Sequence, residues 1–342
     1  MGSASTPWFP ALLGQLLERQ ELSAAQVTRV FDAILSGQLG EAEVAAFLVA
    51  MRCKGESAGE LAAAAAALRA AMVPLETGRD DVLDTCGPGG TNRGTFNIST
   101  AAAIVAAGAG VPVVKHGNRA VSGRCGSADV LAELGVSVES GVDWARRCLD
   151  RAGFAFCLAP LFHPALKHVA ALRRRIGVRT MLNLLGPLAN PANAAFQLVG
   201  VGRADLLDPI AQALVKLGTR NAYVVYAADG LDEVSLGSVT YYRNVQDGRM
   251  TPGEWTARDF DLEGCSPSEI QASDASQSAQ IIRSVLQGEV GPARRFVLAN
   301  AAAAIHVAGK ADDLRHGVQR AAESIDSGRA ARVLTQMKSI EQ

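Results

Sequence analysis

The stretch Asp84–Thr100 reads Asp-Thr-Cys-Gly-Pro-Gly-Gly-Thr-Asn-Arg-Gly-Thr-Phe-Asn-Ile-Ser-Thr. Its glycines, Gly87, Gly89, Gly90 and Gly94, let a backbone approach a ligand closely and turn N–H groups toward it. Asn97, Ser99 and Thr100 close the stretch just before an alanine-rich helix, and a helix start with free N–H groups and hydroxyls attracts anions. By itself this describes an ordinary capped turn equally well. A second stretch, Lys115–Asp129, carries the cations Lys115, Arg119 and Arg124, the hydroxyls Ser122 and Ser127, and Gly117, Gly123 and Gly126. One basic loop is usually a solvated one. Two such loops after successive strands of one sheet could instead hold a ligand with phosphates at both ends.

Two further segments are different in kind. Asp229-Gly-Leu-Asp232-Glu233 sets carboxylates side by side. They are either an acidic turn in solvent or, with a phosphate ligand, partners for hydrated Mg²⁺. His163 to Thr180 reads as a helix with Arg173, Arg174, Arg175 and Arg179 near its end. Arg173 follows His163 by close to three turns, so both could face one cavity. Arginine binds carboxylates through two parallel hydrogen bonds, although cations also gather at helix ends because of the macrodipole.

The elements that must position these residues follow from the hydrophobic pattern. The first seventy or so residues predict helices only. Leu12, Leu13, Leu16 and Leu17 recur at helical spacing, Ser23 caps a second helix that ends near Gly37, and Glu41–Met51 forms a third. Ser57 and Glu60 form a capping box ahead of the alanine-rich run to Met72. From Asp80 onward, runs read as strands (Val82–Asp84, Val111–Val114, Phe154–Leu158, Leu198–Val201, Tyr223–Tyr226) alternate with helices, which predicts a mostly parallel, helix-covered sheet. Val239–Pro267 suggests a hairpin with loops, and the chain is helical again from Ser276. In such sheets ligands lie beyond the carboxyl ends of the strands, where the glycine-rich, basic and acidic loops fall.

Composition sets outer limits. The 342 residues are 49% hydrophobic and 20% charged, with a net charge of -1, which suits a globular chain of one large or two modest domains. The neutral balance argues against non-specific nucleic-acid binding. Cys53, Cys86, Cys125, Cys148, Cys157 and Cys265 form no CxxC and read as reduced thiols of the cytoplasm. No apolar run reaches membrane-spanning length, and the first residues do not resemble a signal peptide.

Taken in order, these pieces resemble the anthranilate phosphoribosyltransferase family over almost the whole chain. Thr-Phe-Asn-Ile-Ser-Thr (95–100) resembles the family's first phosphoribosyl-pyrophosphate loop. Lys-His-Gly-Asn-Arg (115–119) with Gly-Ser-Ala-Asp (126–129) resembles its second. His163-Pro-Ala, Arg173, Arg179-Thr and Leu-Gly-Pro-Leu-Ala-Asn-Pro (185–191) resemble the anthranilate channel, and Asp232-Glu233 the metal pair.

The resemblance implies an α/β fold class: a small N-terminal helical domain, residues 1–77, hinged to an α/β donor-binding domain, residues 78–342. A segment near 163–188 would return to the helical part. Phosphoribosyl pyrophosphate would contact Gly87, Gly90, Thr91, Thr95, Asn97, Ile98, Ser99 and Thr100 on the first loop. On the second it would meet Lys115, His116, Gly117, Asn118, Arg119, Ala120, Val121, Ser122, Gly123 and Ser127, with Lys115 catalytic. Anthranilate would meet Gly87, His116, Asn118, His163, Arg173 and Pro187, with Arg173 on its carboxylate, and Ser99, Asp232 and Glu233 would hold Mg²⁺. Homodimers would form through the helical domain. Where the family usually reads Gly-Thr-Gly-Gly-Asp-Gly, this chain has Pro88 and Thr91 in place of the threonine and the acid. Other expectations left open are a related transferase with another aromatic acceptor and a non-catalytic ligand- or nucleic-acid-binding relative.

Overall fold

The computed structural model describes residues 7–87, 93–120 and 125–340. Four helices come first: α1 (Phe9–Leu17), α2 (Ala24–Leu35), α3 (Glu41–Lys54) and α4 (Ala58–Ala70). The capping box expected at Ser57 is present, and the cap expected at Ser23 is also a capping box, completed by Gln26. That at Ser57 has a wider role. Glu60 is fully buried, and its carboxylate accepts from Ser57 N–H (2.9 Å), Leu22 N–H (2.9 Å) and Lys54 Nζ (2.7 Å). One side chain thus starts α4 and ties it to the two preceding segments, with its charge paired and its oxygens satisfied, as burial of a carboxylate requires. The alanine run of α4 packs against α2 and against a helix of the second part, where small side chains allow close approach. Of the four leucines in α1, Leu12 and Leu16 are buried and Leu17 is 73% exposed. Adjacent positions on a helix point about 100° apart, so both pairs cannot face one core.

A seven-stranded sheet follows, in the order β3-β2-β1-β4-β5-β6-β7. Strands β1 (Leu83–Cys86), β2 (Val113–Gly117), β3 (Phe154–Leu158), β4 (Phe196–Gly200) and β5 (Asn221–Ala227) are parallel. The expected hairpin is β6 (Thr240–Gln246) and β7 (Arg249–Trp255), antiparallel on the edge. Between these strands lie α5 (Ile98–Gly108), α6 (Ser127–Glu133), α7 (Val142–Ala152), α8 (Ala159–Phe162), α9 (Lys167–Ile176), α10 (Met181–Leu184) and α11 (Leu207–Lys216). The chain ends with α12 (Ala275–Leu286), α13 (Pro292–Val307), α14 (Leu314–Asp326) and α15 (Arg329–Ser339). Buried strands covered on both faces read as continuous apolar runs. On β5, Tyr223 and Val225 join the core with α5 and α13, while Ala222 and Val224 join the core with α11 and the N-terminal helices.

Residues between β3 and β4 return to the N-terminal helices. α9 touches α2 and α3, α10 touches α3, and Val169, Leu172, Met181, Leu185 and Leu188 share the helical core. His163 does not sit on one helix with Arg173. Pro160 and Pro164 break the segment into α8, a 3₁₀ turn (Pro164–Leu166) and α9, because proline lacks an N–H donor and restricts the residue before it. The connectors between the two parts are pinned by Val73 N–H to the Phe162 carbonyl (2.8 Å), Leu75 N–H to the Pro191 carbonyl (3.0 Å) and Arg69 Nε to the Leu188 carbonyl (2.7 Å). Among the described residues no helix is long and apolar enough to cross a membrane.

Candidate active site

The sheet order reverses direction between β1 and β4, the switch point where open α/β sheets leave a crevice for ligands. The glycine-rich loop follows β1, the basic loop follows β2 and the acidic loop follows β5. They converge there on a cavity of about 820 Å³ closed on its other side by α9 and the segment 182–187. Three backbones meet at its base. A Cβ on Gly87 would lie 2.6 Å from the Gly200 carbonyl oxygen, and one on Gly200 would overlap the backbone carbonyl of Asp232. Glycine at both positions lets the end of β1 and the acidic loop each close on the end of β4. Gly117 acts similarly on the basic loop: a side chain there would overlap the Ser127 hydroxyl and meet the Phe156 ring at 2.8 Å.

Lys115 is buried at the centre. Its ammonium donates to the Thr85 carbonyl oxygen and lies 3.3 Å from both Thr85 Oγ1 and Ser99 Oγ. Burial pulls its pKa below the usual lysine range, opposed first by the charge of Asp84. Asp84 lies at the other end of this arrangement, fully buried. It accepts from His116 N–H (3.2 Å) and Asn190 Nδ2 (2.7 Å). Burial raises the Asp84 carboxyl, while Lys115 and the hydrogen bonds counteract. Asn190 also donates to the Val114 carbonyl (2.8 Å), so one carboxylate and one amide fix the β2 backbone on either side of Lys115.

The acidic loop separates its members. Asp229 is occupied within its turn, accepting from Ser235 Oγ (2.5 Å) and Leu231 N–H (3.2 Å). Asp232 and Glu233 line the cavity. Glu233 accepts from Ser99 N–H at 3.2 Å, at the start of α5. Burial and then the neighbouring Asp232 push its carboxyl up to about 8, against the pull of Lys115 and Ser99. Glu233, which holds its proton strongly beside Asp232, suits a divalent cation that would take the proton's place. Among the described residues no three His, Cys, Asp or Glu side chains form a metal cluster. An ion here would therefore depend on two carboxylates and on ligand oxygens, which is the habit of Mg²⁺.

The opposite half of the cavity is lined by His116, Asn118, His163, Arg173 and Pro187. The His116 and His163 rings lie 4.9 Å apart between centroids. Burial, and then His163, push His116 down to about 3; burial pushes His163 to about 4. Both imidazoles are therefore neutral at pH 7. His116 Nδ1 lies 3.0 Å from the Gly186 carbonyl and His163 Nε2 lies 3.0 Å from the Ala189 carbonyl. Each of these nitrogens must be the N–H donor, which leaves His116 Nε2 and His163 Nδ1 as acceptors, buried and without a partner among the described residues. Burial also lowers the Arg173 pKa, though an arginine stays charged.

The cavity thus gathers Gly87, Thr95, Asn97, Ser99, Lys115 and His116 with Gly117, Asn118, Arg119, Ala120 and Ser127, besides the acceptor-side and acidic residues. Ile98 and Thr100 point into the interior instead; Thr100 Oγ1 donates to Asn97 Oδ1 (2.9 Å) and so orients Asn97. The Arg119 guanidinium is engaged by Asp129 (3.2 Å) and Glu139, which makes it a brace for the basic loop. Gly90, Thr91, Val121, Ser122 and Gly123 lie outside the described residues, as does Pro88. Sequence reasoning missed Asp84, Asn190, Gly200 and Gly230 as site residues. Only Gly200 had a usable signal, a glycine at the carboxyl end of a predicted strand.

Fold and site define the class of protein. The chain belongs to the glycosyl transferase family, whose helical bundle domain matches residues 10–72 and whose a/b domain matches residues 79–331. Within it, the chain is 46% identical to the anthranilate phosphoribosyltransferase of Moorella thermoacetica, covering 96% of each chain, and 47% identical to that of Anaeromyxobacter dehalogenans, covering 95% and 96%. The crystal structure of the Thermus thermophilus anthranilate phosphoribosyltransferase matches with a TM-score of 0.89 at 37% identity, covering 96% of this chain and 98% of that one. The Saccharomyces cerevisiae enzyme in complex with PRPP and Mg matches with a TM-score of 0.89 at 27% identity, covering 97% of each.

Proposed function

We propose that this chain transfers the 5-phosphoribosyl group of phosphoribosyl pyrophosphate to the amine of anthranilate, a step of tryptophan biosynthesis that releases pyrophosphate. The observation that carries the reading is one cavity with two chemically distinct halves. Glycine-rich backbone, Ser99, Lys115 and the Asp232-Glu233 pair face one another on the donor side. Neutral imidazoles and Arg173 lie on the acceptor side. The relatives named above carry the same activity in their names, and one binds PRPP with Mg.

Anthranilate has a carboxylate, an apolar ring and an aromatic amine. Arg173 would take the carboxylate through its guanidinium fork, Pro187 would pack on the ring, and Asn118 and the acceptor nitrogens of His116 and His163 would receive N–H groups. The amine is nucleophilic while neutral, so no strong base is required. The larger demand is electrostatic, because charge develops on the leaving pyrophosphate as the ribose carbon becomes cationic. Lys115, held by Thr85 and Ser99, and the N–H groups of the loops would stabilise that charge with little reorganisation. Asp232 and Glu233, with Ser99, would hold Mg²⁺, which when bound would neutralise phosphate oxygens. A hinge near residue 77, with 163–188 moving with the helical part, would bring amine and anomeric carbon into line.

Anthranilate fluorescence should fall when donor, Mg²⁺ and protein are mixed, and no loss at high protein concentration would overturn the assignment. Arg173→Ala should raise the anthranilate KM by about tenfold or more with a much smaller change in the donor KM. Equal effects on both would remove Arg173 from the acceptor.

Self-association through the helical part is proposed as well. Leu17 of α1 is 73% exposed and Val49 of the adjacent α3 is 42% exposed. Sedimentation at micromolar concentration should give a dimer that L17E/V49E converts to monomer; a monomeric parent protein would exclude it.

A further inference from the structure

The described parts of the two donor loops carry three cations, Arg93, Lys115 and Arg119. Lys115 is buried and anchored by Thr85 and Ser99, and the Arg119 guanidinium is paired with Asp129 and Glu139. Arg93 differs from both. It lines the cavity and is exposed, with no hydrogen bond or ion pair to any described residue. Its guanidinium rests on Gly230 of the acidic loop, where any Cβ would overlap it. Gly230 has φ +84°, so glycine is favoured there by backbone and by space alike.

The position is built. The residues after Arg93 are clamped to the 270–272 segment: the Gly94 carbonyl accepts from Ala272 N–H (2.7 Å), Thr95 bridges Gln271, and Phe96 N–H donates to the Ile270 carbonyl (3.0 Å). The anchored end of the glycine-rich loop thus holds an uncommitted guanidinium at the rim between that loop and the Asp232-Glu233 pair. A planar five-donor fork matches phosphate oxygens in pairs, which a lysine cannot do.

We infer that Arg93 is a further donor-binding residue, which takes the pyrophosphate of the donor and uses Gly230 as the seat that aims it. The inference rests on the function proposed above. Inorganic pyrophosphate with Mg²⁺ would be titrated calorimetrically into the parent protein, Arg93→Met, Arg93→Lys, Gly230→Ala and the Met/Ala double variant. Thermal midpoints would confirm that each is folded. Arg93→Met should weaken pyrophosphate binding and raise the donor KM by about tenfold or more, leaving the anthranilate KM within about twofold. Arg93→Lys should fall between. Gly230→Ala should weaken binding in the parent protein and add little in Arg93→Met. Parent-like pyrophosphate affinity in Arg93→Met would overturn the role of Arg93. Full additivity in the double variant would overturn the seat. A parent protein that binds no pyrophosphate would instead strike down the proposed function itself.

Discussion

Lys115→Met should lower kcat by about 10²–10³-fold, the range found when a preorganised donor to developing negative charge is removed. The stem of methionine fills much of the lysine's path, so the loss would be chiefly one of charge. The same substitution should reduce stability, because Asp84 loses the cation that lowers its pKa and is left fully buried with the hydrogen bonds of His116 and Asn190. Breaking a buried pair in direct contact costs about 3–5 kcal/mol, but Lys115 acts on Asp84 through space. Here Asp84 can retain its proton instead, so about 1–3 kcal/mol is expected.

The pH dependence separates loss of charge from loss of packing. A carboxyl whose folded pKa is raised binds its proton more tightly when folded. Its contribution is therefore fully present below the unfolded pKa and lost as pH rises through the folded one. The variant should then lose more stability relative to the parent at pH 8 than at pH 5, measured by urea unfolding. A pH-independent deficit would mean that Lys115 acts through packing alone. Unchanged kcat would remove it from the chemistry.

Gly200→Ala should be almost as damaging, although Gly200 offers no side chain to any ligand. Its Cβ would occupy the place of the Asp232 carbonyl, so either β4 or the acidic loop must move. β4 is paired on both sides, with Cys86 opposite Val199 and Val225 opposite Gly200. The loop therefore yields, and Glu233 withdraws from Ser99 as Asp232 shifts with it. Overpacking of this kind costs about 1–3 kcal/mol. Activity should fall by about 10²-fold, as misplacement of about 1 Å can do, and the Mg²⁺ concentration for half-maximal rate should rise. Gly141→Ala, with open space around the added methyl, is the control and should retain parent kinetics. A stability loss with unchanged Mg²⁺ dependence would show that Gly200 does not position the carboxylate pair.

These effects differ in how visible they are in the chain. The strands were legible because β-branched runs alternated with capped helices, and each observed strand overlaps its expected position within a few residues. The loops that line the cavity were legible because glycine, hydroxyl and cation types cluster within short spans. The acceptor side was less so, since His163 and Arg173 are joined by a proline-broken segment and not by one helix. Asp84 and Asn190 were hidden for a different reason. They are 106 residues apart and meet at 2.7 Å only after β1 and the segment leading into β4 are brought together. Arg119 does line the cavity, but the sequence could not show that its guanidinium is paired with Asp129 and Glu139.

The sequence by itself determined the local chemistry: the helical start, the parallel sheet, the two loops able to bind anions and a carboxylate pair suited to a cation. These depend on spacing within a few residues, which propensity, capping and hydrophobic period encode directly. Tertiary structure alone decided which charges remain available to a ligand. Thr85 and Ser99 hold the buried Lys115 in place, Gly230 leaves room for Arg93, and Gly200 lets the Asp232 backbone close on the end of β4. The physical reason is that availability depends on partners and excluded volume from distant segments, and neither exists until the sheet has formed.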